Sequence, residues 1–153
     1  MRAMLLALAA LMLTGSADTP PAETITYATQ PAGPMCGQCR TTKLVVTSDG
    51  DVRQETGWWK GKYRDWKTAT RTWKVTPEQY ASFRERLALY RPQGKLSLTR
   101  QPECDDYLPD SGAIDISWRG GGPDADLHYD LGCDPQTRKE MRKDIEGALI
   151  LLA

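Results

Sequence analysis

Residues 34–56 read PMCGQCRTTKLVVTSDGDVRQET. Two cysteines, Cys36 and Cys39, open the stretch, and the residues after them decide fold and chemistry together. Cys-Gly-x-Cys is the spacing of dithiol redox centres, which activate the first thiol by placing it at a helix N-terminus. Here the β-branched Thr41 and Thr42 and the run Leu44-Val45-Val46 read as a strand, and Asp49-Gly50 is a pair that tolerates the positive φ of a tight hairpin turn. The stretch predicts a strand, a turn and a returning strand, so the cysteines lead into a sheet and lack the helix that would activate a thiolate.

The same pattern extends in both directions. Upstream, Ile25, Tyr27 and Thr29 alternate with polar residues in ETITYATQ, a first strand. Downstream, TATRTWKV is strand-like through Trp73 and Val75. Thr76 and Gln79 then form a capping box around Pro77, and Tyr80, Phe83, Leu87 and Tyr90 fall on one face of the helix it opens. Pro92 and Gly94 end that helix. A second hairpin alternates Ile114, Ile116 and Trp118 with Asp115, Ser117 and Arg119, turns through GGGPDA, and returns through Leu127, Tyr129 and Leu131. Asp134 and Pro135 are read as the cap of a closing helix striped by Met141, Ile145, Ala148, Leu149 and Leu152. The expectation is an α+β domain: an antiparallel sheet of about five to six strands with two helices packed on one face.

The N-terminus reads as an address. Arg2 supplies a positive start, Ala3 to Leu13 an apolar core, and Gly15-Ser16-Ala17 a small-residue cleavage site. An apolar run of this length is shorter than the ~20 residues a bilayer span needs. We expect a signal peptide over 1–17 cleaved near Ala17, a linker over 18–23, and a single domain over 24–153, periplasmic or extracellular. Ser16 stands where a lipobox would carry cysteine, and serine forms no thioether. No second apolar run of spanning length occurs, so no membrane span is expected in the mature protein.

Export sets the chemistry of the four cysteines. An oxidising compartment favours disulfides over zinc-bound thiolates, and structural zinc takes two close pairs, whereas Cys104 and Cys133 are far apart in sequence. An even set of four allows three connectivities. Cys36–Cys39 with Cys104–Cys133 is favoured, because the second hairpin returns Cys133 beside residues 111–113, where the Cys104 loop enters. Crossed pairing stays open. The rival in another functional class is a thiol-disulfide oxidoreductase using Cys36 and Cys39.

These elements, with Cys36, Cys39, Asp49-Gly50, Thr76 to Gln79, Asp106 to Pro109 and Cys133, resemble a family of small exported bacterial domains of unknown function. The resemblance covers roughly residues 24–150 and implies a fold and a location, with no reaction attached.

GWWKGKYRDWKTATRTWK, residues 57–74, interleaves tryptophans with cations. Trp58, Trp59, Lys60, Lys62, Tyr63, Arg64, Trp66 and Lys67 are the candidate binding surface, since aromatic faces stack on sugars while cations hold phosphate or carboxylate. Export points to an envelope glycan, an anionic head group or an envelope protein, and away from nucleic acid. The competing reading buries these tryptophans under the sheet beneath a cover of lysine and arginine stems. His128, with Ser117 and Asp115 or Asp130, shares a hairpin face, but no nucleophile elbow or oxyanion donor accompanies it, so no catalytic residue is assigned. Glu103, Asp105, Asp106 and Asp110 lack the spacing of a calcium loop, and no cofactor or metal is expected. Residues 40–100 carry 14 Lys and Arg against 6 Asp and Glu, and residues 101–153 carry 5 against 12. The expectation is two halves lying side by side and neutralising each other. The function these features suggest is a non-catalytic envelope binding or accessory module.

Overall fold

The structure, a computed structural model, describes residues 22–32, 39–60, 65–100 and 102–153. The expected signal peptide, most of the expected linker, Cys36, and Lys62, Tyr63 and Arg64 lie outside the described residues.

The strands are β1 (Thr24–Gln30), β2 (Arg40–Thr47), β3 (Asp51–Lys60), β4 (Asp65–Lys74), β5 (Lys95–Leu98), β6 (Ala113–Arg119) and β7 (Ala125–Asp130). Helix α1 (Pro77–Ala88) lies between β4 and β5, and α2 (Lys139–Ala148) closes the chain by running into a 3-10 turn, Leu149–Leu152. All seven strands form one sheet in the order β4-β3-β2-β1-β6-β7-β5. Neighbours are antiparallel except β5 and β7, which run parallel. This corrects the expected antiparallel sheet of five to six strands. One strand accounts for the difference: α1 carries the chain from β4 at one edge to the opposite edge, where the short β5 enters parallel to β7.

Register sorts the side chains. Ile25 stands between Val46 and Trp118, and Tyr27 between Leu44 and Ile116. With Ile114, Leu127 and Tyr129 they make the apolar face, which joins Phe83 and Leu87 of α1, Ile145 and Ala148 of α2, and Leu152 in one core. Burying each large apolar side chain contributes about 1.5–3 kcal/mol, so both helices are held on this face. The opposite face, with Thr26, Asp115, Ser117, Asp126 and His128, carries no helix among the described residues.

The capping box forms as expected: Thr76 Oγ1 accepts the Gln79 amide at 3.2 Å, and Gln79 Oε1 accepts the Thr76 amide at 2.9 Å. The cap expected at Asp134 does not open α2, which starts at Lys139 with no side-chain cap. Asp134 Oδ1 instead accepts the amides of Asp105 at 2.8 Å and Asp106 at 2.7 Å. These bonds, the Asp106 amide first, hold its carboxyl below the usual range. The loop they fasten is also crosslinked by the Cys104–Cys133 disulfide, with Cα atoms 5.3 Å apart. Cys39 is disulfide-bonded too. Since Cys104 and Cys133 pair with each other, the crossed connectivities do not occur.

Glu23, assigned to the linker from sequence, is buried. Its carboxylate accepts hydrogen bonds from the Tyr80 hydroxyl at 2.9 Å, Arg84 Nε at 2.6 Å and Arg91 Nη1 at 2.8 Å. The domain therefore begins before β1, with Glu23 tying the chain's entry to α1.

Candidate functional site: the tryptophan hairpin and the open face

The β3–β4 hairpin forms one edge of the sheet, and β4 is exposed at nearly every position. Strand alternation divides the candidate surface between two faces. Trp58 pairs with Lys67, and Lys60 with Asp65, on the side that carries the helices; Trp59 pairs with Trp66 on the open side. The aromatic and cationic groups that run together in the sequence are thereby separated: the open side holds the Trp59–Trp66 pair, while Lys60 and Lys67 project the other way with Trp58. Lys67 also lies 3.6 Å from Asp65.

The open-side pair has a defined geometry. The two indoles meet edge to face with centroids 5.1 Å apart, a preferred aromatic arrangement. Trp66 lies across Gly57, where a Cβ would collide with its ring and would sit 2.7 Å from Thr41 Oγ1. Glycine in a strand interior marks such a close approach, and here the approaching group is an indole. Trp66 nevertheless keeps 41 % of its surface exposed. Gly57 is flanked in register by Thr41 on β2 and Thr68 on β4, so hydroxyls, with no cation among them, are the polar groups in register beside the ring.

The remaining tryptophans are structural. Trp73 donates its indole N–H to the Leu152 carbonyl at 2.7 Å and carries the Arg71 guanidinium 4.9 Å from its centroid. Trp118 is buried in the core.

At the other end of the open face, β5, β7 and β6 bring Ser97, His128 and Asp115 into one row. His128 Nδ1 lies 2.6 Å from Asp115 Oδ1, and Gln30 Nε2 donates to Asp115 Oδ2 at 2.6 Å. A hollow of about 310 Å³ opens there, lined by Thr26, Lys95, Ser97, Ser117, Asp126 and His128 among others. Among the described residues neither Ser97 nor Ser117 is hydrogen-bonded to His128, so the row is an oriented polar pair without an engaged nucleophile. Sequence reasoning paired Asp115 with His128 through the hairpin. It missed Gln30, Lys95 and Ser97, which arrive from β1 and the parallel β5; only the long-range pairing of those strands brings them in.

Cys39 leads directly into β2. Cys104, Cys133 and Asp134 cluster closely, but both sulfurs are in a disulfide, which leaves no thiolate to ligate a metal there. In comparisons with known proteins, no family model matches the chain and no curated protein matches it.

Proposed function

We propose that this chain is an exported, disulfide-stabilised binding module that takes a glycan of the cell envelope on the Trp59–Trp66 platform and performs no chemistry on it. The leader-like N-terminus and the even cysteine set support export, as does the resemblance to small exported domains. No described helix is long and apolar enough to cross a membrane, which is compatible with that location. One observation carries the binding reading: Trp66 is seated on Gly57 beside Thr41 and Thr68, yet remains 41 % exposed. A tryptophan packed only for stability would be largely covered. A flat indole flanked by hydroxyls suits a neutral sugar ring, whose C–H face stacks while its hydroxyls find hydrogen-bond partners. Of the three partners the sequence suggested, the glycan fits this face better than an anionic head group, because Lys60 and Lys67 point to the other side.

The test is a titration of the protein with soluble peptidoglycan fragments, monitored by tryptophan fluorescence. The wild type should give a saturable change. Trp66→Ala should weaken binding by about tenfold, the loss of roughly 1.4 kcal/mol of contact. Gly57→Ala should do the same without removing any tryptophan, since its Cβ displaces the Trp66 indole. Equal affinity in wild type and Trp66→Ala, or no binding by the wild type, overturns the reading.

A further inference from the structure

The Trp59–Trp66 platform and the hollow beside His128 lie on the same open face, at opposite ends of the sheet. Register builds the hollow from two rows of side chains that cross β1, β6, β7 and β5. Ala28, Asp115, His128 and Ser97 stand in one row, and Thr26, Ser117, Asp126 and Lys95 in the next. Ala28, Ser97 and Ser117 are short, so the surface dips among the longer His128, Asp126 and Lys95. The volume of about 310 Å³ falls at the low end of the ~300–1,000 Å³ usual for small-ligand sites.

The charges of the hollow are balanced within it. Arg119 Nη2 donates to Asp126 Oδ1 at 2.5 Å, while His128 and Gln30 engage the two oxygens of Asp115. Lys95 stands in register with Asp126. A hollow balanced in this way selects neither an anion nor a cation. It offers instead a close set of hydrogen-bonding groups of both kinds. The hydroxyls of Thr26, Ser97 and Ser117 donate and accept, the Lys95 ammonium donates, and the carboxylate oxygens accept. Because a carboxylate only accepts, His128 Nδ1 carries the proton shared with Asp115, which makes Nε2 of the neutral ring a further acceptor. Donors and acceptors packed this closely, without net charge, match the hydroxyls of a sugar ring.

We propose that this hollow is a second sugar subsite, and that a linear glycan strand crosses the sheet from the Trp59–Trp66 platform to reach it. The proposal rests on the glycan reading above and adds to it a minimum strand length. Glu55 on β3 is level with Lys43 on β2 and Ala28 on β1. Trp59 therefore lies four residues along and two strands across from the near wall of the hollow. At ~3.4 Å per residue and ~4.8 Å per strand, that separation is about 17 Å. A disaccharide is shorter than this span and a tetrasaccharide is long enough. Among the described residues no helix crosses the path. Once the platform is occupied, filling the hollow with the same strand is an intramolecular step, so affinity rises with length without any new contact at the platform.

The experiment is calorimetric titration of the full chain with peptide-free peptidoglycan strands of two and four sugars. The four-sugar strand should bind at least about tenfold tighter than the two-sugar strand. A Ser97→Leu/Ser117→Leu variant, which fills the hollow and removes two hydroxyls, should bind the four-sugar strand only as tightly as the two-sugar strand. Lys95→Ala should shrink the preference in the same direction. Both variants should keep the wild-type affinity for two sugars, which a misfolded protein would not, and Trp66→Ala should weaken binding at both lengths. Equal wild-type affinity for the two lengths, or a length preference unchanged in the filled variant, overturns the second subsite and leaves the platform standing. No binding of either strand by the wild type overturns the glycan reading and the subsite with it.

Discussion

Three side chains converge on the Glu23 carboxylate, and its titration shows what that convergence is worth. Burial alone would raise its pKa. The hydrogen bonds from Tyr80 and Arg84, the charge of Arg84 and the bond from Arg91 outweigh burial and hold it below the ordinary 4.5. Because the folded value is depressed, the associated stability is present above about pH 4.5 and is lost as pH falls through the folded pKa. Glu23→Gln should therefore destabilise the protein at pH 7 by roughly 2 kcal/mol, a value reduced because Arg84 is half exposed. The wild-type advantage in urea unfolding should shrink as the solution is taken toward pH 3; a constant difference across that range would refute the linkage. None of this was legible in the sequence, where Glu23 sits in a proline-bearing spacer and its partners are about 60 residues away. Gly57 was opaque for a related reason: the residue that demands a glycine there, Trp66, lies on the next strand, and only register makes them neighbours.

Elements with a self-contained signal were the ones the sequence revealed. Asp49-Gly50 makes the β2–β3 turn, with Gly50 at φ +82, Thr76 and Gln79 cap α1, and alternation marks β1, β6 and β7. β5 carried no such signal, because four residues reading Lys-Leu-Ser-Leu hold barely two periods and its pairing is dictated by β7. The start of α2 was misplaced because Asp134, a good cap by type, is committed to the amides of Asp105 and Asp106. That commitment makes residues 103–108 a separately fastened element. Arg138 Nη2 donates to the Glu103 carbonyl at 3.0 Å, and Tyr107 bridges Cys133. The chain entropy removed by a crosslink across a separation of 29 residues makes Cys104–Cys133 worth about 3.6 kcal/mol. A Cys104→Ala/Cys133→Ala variant should lose that much in equilibrium unfolding and yet retain its affinity for the peptidoglycan fragments, since the Trp59–Trp66 hairpin lies across the sheet. If the variant loses both, the loop and the hairpin are one cooperative unit and the assignment of a purely local role to the crosslink is wrong.

At the scale of the molecule the two halves do lie side by side, with β1 between them, but they do not neutralise each other. Among the described residues no ion pair joins residues 40–100 to residues 101–153. Lys67 and Lys74 pair with Asp65 and Asp51 within the hairpin, and Arg119 pairs with Asp124 and Asp126 within its own. Strands β2 to β4 carry seven Lys and Arg against three acids, whereas β6 and β7 hold three Asp against Arg119 alone. A chain of formal net charge zero is thus strongly polarised along its sheet. The exposed edge strand β4 keeps Lys67, Arg71 and Lys74, charges that discourage edge-to-edge pairing, so contact between copies should instead match the basic strands of one with the acidic strands of another. Such contacts decay with a screening length of ~30 Å at 0.01 M salt and ~8 Å at 0.15 M. Light scattering should accordingly report association near 0.01 M salt that dissolves by about 0.15 M. Lys43→Glu with Arg53→Glu, on the exposed surface of β2 and β3, should abolish it at low salt. Scattering that is indifferent to salt, or to that double substitution, would mean that the polarity has no consequence between molecules and that apolar surface governs any association.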